Sequence, residues 1–330
     1  MLSGMKITAY VVDEGRLVPL AVSAPREIPA RAIWVDVIEP TREETISLAE
    51  QLGLHLEFDA ADLGFDVYGH VEVEGDQLTI VLQAERADAA DGLPSARAVI
   101  LVSTNKLVTF RSGSVPAIEA VARSAEDLQV GTHPRMQLVV QILSEAMEVS
   151  SRALDTAEAE VHRCARILFS TTESSRAEVD LENLLSNLGR LQAKMVVLGY
   201  RQRLLLRIVE ILRKDPRFAL SAELQEDLDL AAGDVVSLRD FAGSIDEQLS
   251  RLMDSTIGFI GLRQNASARW FSIVATVFMP PTLLGAIWGM NFKYMPELDD
   301  RYAYGLALLL MLLSATIPLW IAHRMGWLRS

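Results

Sequence analysis

Ten residues near the C-terminal end of the chain, Gly289 to Leu298 (GMNFKYMPEL), bring together an amide at Asn291, a cation at Lys293, a carboxylate at Glu297, a proline and two thioethers. Asp299 and Asp300 follow directly. The stretch is too rich in oxygen donors for a simple hairpin linker. The neutral amide oxygen of Asn291 can accept hydrogen bonds from the bound waters of a hard cation, and Glu297, Asp299 and Asp300 raise the local concentration of cations, partly offset by Lys293 and Arg301. Gly289 keeps side-chain bulk away, and Pro296 restricts the loop.

Two apolar runs must position this stretch. Trp270 to Trp288 contains 19 residues without a charge and Tyr302 to Ala322 contains 21. At about 1.5 Å rise per residue, each can cross a hydrocarbon core of roughly 30 Å. The reading is therefore two transmembrane helices joined by the 289–301 loop, the bland alternative being buried helices of a large soluble core. No apolar segment behind a basic one opens the chain, so no cleavable secretion signal is expected. Arg263, Arg269, Arg324 and Arg329 flank the spans against Lys293 and Arg301 in the loop, which by the positive-inside rule places both termini in the cytoplasm and the loop outside.

Composition narrows the function classes. Of 330 residues, 50% are hydrophobic, and the formal net charge is −13, which argues against a nucleic-acid partner and suits a protein that handles cations. The single cysteine, Cys164, excludes an intramolecular disulfide, and His162 two residues earlier points away from it on a helix, so the two cannot share a metal ion. His55, His70 and His133 are isolated, and no nucleotide loop or nucleophile triad is present, so an enzyme has no sequence support.

Ahead of the spans, residues 1–130 read as an α/β domain. KITAYVV and LVPLAV flank the turn DEGR; AIWVDVIEP is a strand leading to the helix TREETISLAEQLG, with Thr41 and Glu44 as a capping box; HVEVEGDQLTIVLQAE and ARAVILVSTNKLVTFRSG are two more hairpins. Residues 131–220 read as an antiparallel pair of long helices, near 134–170 and 175–214, ending at Pro216. From Ser221 no proline occurs before Pro280, which predicts one helix about 100 Å long, its 221–269 part outside the membrane and its 270–288 part the first span. The second span is 302–322, and 323–330 is a basic tail.

Steps of seven back from the motif give Gly289, Thr282, Ala275, Ala268, Gly261, Asp254, Glu247 and Asp240, small or hydroxylated in the span and acidic below it. A partner stripe carries Ala286, Met279, Ser272 and Asn265. Small residues alone would mean close helix packing, but Asn265, Ser272 and Thr282 are polar side chains at membrane depth, which usually face protein or water. Two helices cannot enclose a water path, so a pore needs several copies in a closed ring with the first span inside. Asp240, Glu247 and Asp254 would then form circles of carboxylates that attract metal cations, and the Asn291 amides a neutral ring selecting a hydrated divalent ion. Magnesium, which surrenders its waters reluctantly, fits such a ring.

GMN followed by MPEL between two terminal spans resembles the signature of the CorA family of magnesium transporters. GFIGLRQN (258–265), VFMPPTLLGAIWGMN (277–291) and HRMGWL are similar to that family, as is the order of α/β domain, long helices and two spans. The resemblance implies an α+β membrane protein of the cytoplasmic (inner) membrane, a homopentamer with a funnel of long helices in the cytoplasm. It implies Gly289, Met290 and Asn291 as the selectivity motif, Asn265, Ser272, Met279 and Thr282 as pore-lining, and Phe271 at a hydrophobic constriction. Magnesium is the implied cargo, with cobalt and nickel as further ions, and intracellular magnesium the implied regulator; its sites are not placed, Asp62 and Asp229 being candidates. A proton-coupled zinc transporter of the same superfamily and a non-conducting membrane-anchored scaffold are the alternatives.

Overall fold

The computed structural model describes residues 4–56, 71–85, 94–104, 106–169, 180–215, 218, 220–290, 295 and 302–324. The chain divides into two compact units, Met1–Met253 and Asp254–Ser330.

The first unit is built on a seven-stranded sheet. Its strands are β1 (Lys6–Asp13), β2 (Arg16–Val22), β3 (Trp34–Ile38), β4 (Val71–Glu74), β5 (Gln77–Glu85), β6 (Pro94–Val102) and β7 (Leu107–Ser112), in the order β2-β1-β3-β7-β6-β5-β4. The β1–β2 hairpin closes through Glu14 and Gly15, both at positive φ (47° and 77°), as a two-residue turn that follows strand twist requires. Every pairing is antiparallel except β3 with β7. That parallel pair joins strands far apart in sequence, with Asp36 opposite Thr109 and Ile38 opposite Arg111.

Side chains alternate across the sheet, as the pleat demands. Ile7, Ala9, Val11, Val35, Val37, Val81, Val99, Val108 and Phe110 form one buried layer with α1 (Arg42–Gln51). Tyr10, Leu17, Trp34, Leu78, Ile80, Ile100 and Leu107 form the other, beneath α2 (Pro116–Ser124) and three long helices. At the start of α1, Thr41 and Glu44 make the expected capping box: Glu44 N–H donates to Thr41 Oγ1 at 3.3 Å and Thr41 N–H to Glu44 Oε2 at 2.8 Å.

A charged network crosses the second layer. Asp36 and Arg111 are buried and paired: Arg111 Nε lies 3.2 Å from both Asp36 oxygens and Nη2 3.1 Å from Oδ2. Thr109 Oγ1 donates to Asp36 at 2.7 Å and accepts from Trp34 Nε1 at 3.0 Å. Arg111 Nη1 continues to Glu119 on α2 at 2.8 Å. Tyr10 stacks on Trp34 with centroids 4.2 Å apart, and burial, then the nearby Asp36 charge, pushes its phenol up to about 12. Burial alone would lower the Arg111 guanidinium, but Asp36 and Glu119 outweigh it and raise its pKa.

The long helices are α3 (Pro134–Leu168), α4 (Leu181–Lys214) and α5 (Ala222–Trp288). Each buries a heptad seam within this unit: Met147, Ser150, Leu154, Ala157, Val161, Cys164 and Leu168 on α3; Leu188, Leu191, Met195, Leu198, Gln202, Leu205, Val209 and Leu212 on α4; Leu228, Ala231, Val235, Ala242, Ile245, Leu249 and Leu252 on α5. Spacings of three and four alternate, apart from one step of seven between Val235 and Ala242 on α5, the pattern of coiled-coil packing. Asp180 caps α4, its Oδ1 accepting from Asn183 N–H at 3.0 Å, and Arg213 Nη2 meets Asp229 Oδ1 on α5 at 2.6 Å.

Candidate functional site

α5 ends at Trp288, and α6 (Ala303–Arg324) follows. Both contain stretches long and apolar enough to cross a membrane, and none of either stretch is buried, which separates them from core helices of a soluble domain.

From Trp270 onward the half-buried residues of α5 fall at Ile273, Val277, Pro280, Pro281, Leu284 and Trp288, one helical face. On α6 they are Ala303, Ala307, Met311, Ser314, Ala315, Pro318, Leu319 and Ala322, mostly small, as close helix packing in a bilayer favours. A Cβ at Gly285 would stand 3.5 Å from Met311 Cε, so the two helices meet at this height. Ile273, Val277 and Leu284 thus lie toward the second apolar helix, while Trp270, Val274, Phe278 and Ile287 remain exposed.

Asn265, Ala268, Ser272, Ala275, Met279, Thr282, Ala286 and Gly289 are all exposed and, at 3.6 residues per turn, point roughly half a turn away from the α6 side. Phe271, with 77% of its surface exposed, shares that side. The polar members are oriented by the backbone. Ser272 Oγ donates to the Ala268 carbonyl at 3.0 Å, Thr282 Oγ1 to Phe278 at 2.6 Å and Thr276 Oγ1 to Ser272 at 2.7 Å. With its proton held by the helix, each hydroxyl presents oxygen lone pairs outward. Such a surface accepts hydrogen bonds from the waters of a hydrated cation.

Two prolines, Pro280 and Pro281, sit inside α5 without ending it. Neither can donate, so the carbonyls of Thr276 and Val277 lose their helical partners. At the end of the helix Gly289 N–H donates to the Gly285 carbonyl at 2.9 Å and Met290 N–H to Ile287 at 3.3 Å. A Cβ on Gly289 would approach the Gly285 carbonyl oxygen to 3.0 Å, so glycine leaves the last turn uncovered. Asn291, Glu297, Asp299 and Asp300 lie outside the described residues, as does Asp62.

In the first unit Asp240 and Glu247 sit on the exposed face of α5 opposite its buried seam. Each has a cationic neighbour on its own helix that sequence reading did not weigh: Arg239 Nη2 lies 3.2 Å from Asp240, and Arg251 Nη1 2.5 Å from Glu247. Asp254, in the second unit, is exposed, with no ion pair among the described residues. Successive members of this acidic series are about 10 Å apart along the axis, too far to hold one ion within a single chain. Accordingly, no group of three or more His, Cys, Asp or Glu among the described residues could hold a metal ion. Asp229 is engaged by Arg213.

Cys164 is buried in the α3 seam, whereas His162 is exposed with Nε2 3.8 Å from Glu158, so the two diverge. Burial pushes the Cys164 thiol up. Maleimide labelling of the folded protein is therefore expected to be at least about a hundredfold slower than in denaturant, because the reactive thiolate is both scarce and covered; comparable rates by mass spectrometry would contradict the α3 seam. His55 is held structurally: its N–H donates to Gln77 Oε1 at 2.9 Å, and Gln77 Nε2 donates back to its carbonyl.

The CorA-like Mg2+ transporter protein family matches residues 29–324. The chain belongs to that family. Among relatives it is 27% identical over 324 residues to the magnesium transport protein CorA of Pasteurella multocida, covering 98% of this chain and all of that one. It is 24% identical to the magnesium transport protein CorA of Escherichia coli K12 over 326 residues, again 98% of this chain and all of the relative. The fold is that of the complete CorA magnesium transporter structure from Methanocaldococcus jannaschii, with a TM-score of 0.71 at 20% identity over 99% of this chain and 100% of that one. The family architecture, an N-terminal α/β domain, long helices and two C-terminal apolar helices, is the one described here.

Proposed function

We propose that this chain is a magnesium uptake protein of the cytoplasmic membrane that conducts as a ring of identical subunits, with the first apolar helix lining the path and the second facing lipid. The observation that carries this reading is the exposed side of α5 from Asn265 to Gly289, turned away from α6 and edged with hydroxyl oxygens whose protons are engaged by the helix. A single chain leaves this surface uncovered, and a closed ring would turn it toward water rather than lipid. Asn291 at its end would supply a ring of neutral amide oxygens that accepts from the ion's own waters without stripping them, and the fivefold count comes from the family resemblance.

The membrane potential supplies the drive. At about 2.3 kcal/mol per charge per 100 mV, a divalent ion gains roughly 4.6 kcal/mol, over a thousandfold in equilibrium ratio. Such a gradient requires a gate, and carboxylates of the long helix, neutralised when internal magnesium is high, supply one. With Asp240 and Glu247 already beside arginines, Asp254 is the acid whose charge is least offset. A filter of this kind sorts ions by charge and hydrated size more than by ligand softness, so cobalt and nickel are expected to compete. A zinc path gains no support from the soft ligands that zinc favours, the one cysteine being buried in the α3 seam.

The test is magnesium flux into liposomes holding the full-length protein, with an internal magnesium dye and an inside-negative potential. Wild type is expected to show potential-dependent uptake that falls when the vesicles are preloaded with magnesium, and Asn291→Ala is expected to reduce it at least tenfold. Absence of uptake by folded wild type into magnesium-free vesicles would refute conduction and favour a scaffold.

A further inference from the structure

The buried seam of α4 is leucine, isoleucine, methionine or valine from Leu188 to Leu212 except at Gln202. Gln202 is 1% exposed, and neither its amide oxygen nor its nitrogen has a hydrogen-bond partner. An amide sealed off in this way opposes packing, because each group loses its water and gains nothing in return.

The surroundings are weak at the same height. A small, partly open cavity of about 50 Å³ is lined by Leu82 and Ala117, by Ala146, Val149 and Ser150 of α3, and by Arg201, Leu204 and Leu205 of α4, the residues on either side of Gln202. A larger open groove of about 630 Å³ separates the same turns of α3, including Ser144, Met147 and Glu148, from Asp234, Leu238 and Phe241 of α5. Counting equally along the antiparallel α4 and α5 from the Arg213–Asp229 pair puts Gln202 level with Asp240, alongside that groove. So α3 is under-packed on two sides near the level of the core amide. Ser144 and Ser150 also donate to the Val140 and Ala146 carbonyls, both at 3.0 Å, a bond that bends helices.

We propose that the Gln202 layer is a conformational joint in the three-helix bundle. On the sheet side, Leu205, Ile208, Val209 and Leu212 are fixed in the large core under the strands. On the other side, Leu188, Leu191, Met195 and Leu198 continue an apolar seam. Between them a small rotation of α4 relative to α3 trades apolar contact for hydration of the amide, so the bundle has two arrangements of similar free energy that meet at this layer. The far half of α3 and α4 can thereby move against the sheet without unfolding either end. The inference depends on no transported ion.

Hydrogen exchange of the full-length protein in detergent micelles, compared with Gln202→Leu and Gln202→Met, tests it. Amides of 144–151 and 199–205 are expected to exchange at least about tenfold faster than those of 157–164 and 188–195 in wild type. Both variants are expected to slow the first set about tenfold, leave the second unchanged and raise Tm. Equal protection of the two sets in wild type would overturn the joint. A fall in Tm in both variants would show that the amide is bonded after all, and a rise in Tm without slower exchange would reduce Gln202 to an unfavourable core residue; either result removes the proposal.

Discussion

Asp36→Ala is expected to lower the unfolding free energy by about 3–5 kcal/mol, because it strands the Arg111 guanidinium where water cannot reach it. For a unit of this size that is a fall in Tm on the order of 10 °C. The side chains of Asp36 and Arg111 are only 3% and 7% exposed, and three hydrogen bonds from Arg111 end on Asp36. Glu119 alone cannot replace them, because it also accepts from Ser114 Oγ at 3.0 Å and is more than a third exposed. The mechanism has a discriminating control. Removing both charges with Asp36→Leu and Arg111→Met should restore much of the loss, since a buried pair contributes little net stability while a broken one costs a great deal. Thermal unfolding followed by circular dichroism would measure both. If Asp36→Ala unfolds within about 1 °C of wild type, the pair is hydrated and the network is not what ties β3, β7 and α2 together.

Thr282→Arg is expected to reduce magnesium flux at least about a hundredfold in the liposome assay while leaving the protein folded. Thr282 lies on the exposed side of α5, away from α6. In the proposed ring it would bring one fixed cation per subunit to the path. A unit charge about 8 Å from another at an effective dielectric of 20 costs roughly 2 kcal/mol, and a divalent ion doubles this before further copies are counted. Thr282→Val, which removes the outward lone pairs but no volume, should cost only a few-fold, because water can still hydrate the passing ion. Arginine tolerated at 282 with wild-type flux would mean that α5 turns another side to the path.

Much of this fold is legible in the order of residues because its signals are local. Glu14 and Gly15 mark the first hairpin turn, Thr41 and Glu44 cap α1, and the first long helix begins at Pro134 and the second ends at Lys214, as their breakers require, whereas the second begins at Leu181 rather than near 175. The GMN and MPEL stretch identifies the family, although the donors Asn291, Glu297, Asp299 and Asp300 lie outside the described residues. A heptad count alone also finds the stripe from Gly289 back to Asp240. It does not find Arg239 and Arg251 beside the acids, since an ion pair depends on which way two flexible chains turn.

Charge-free length and helical periodicity determined that this chain has two span-length helices with a polar side on the first, because hydrophobic transfer and helix pitch act on neighbours in sequence. Tertiary structure decided what those periodicities meet. It set β3 parallel to β7 and so placed Asp36 against Arg111, 75 residues away. It laid Ile273, Val277 and Leu284 toward α6, which leaves Ser272 and Thr282 on the other side. It also closed the α4 seam over Gln202. These outcomes depend on contacts between distant segments, where burial and pairing are properties of the packed chain and no single stretch carries them.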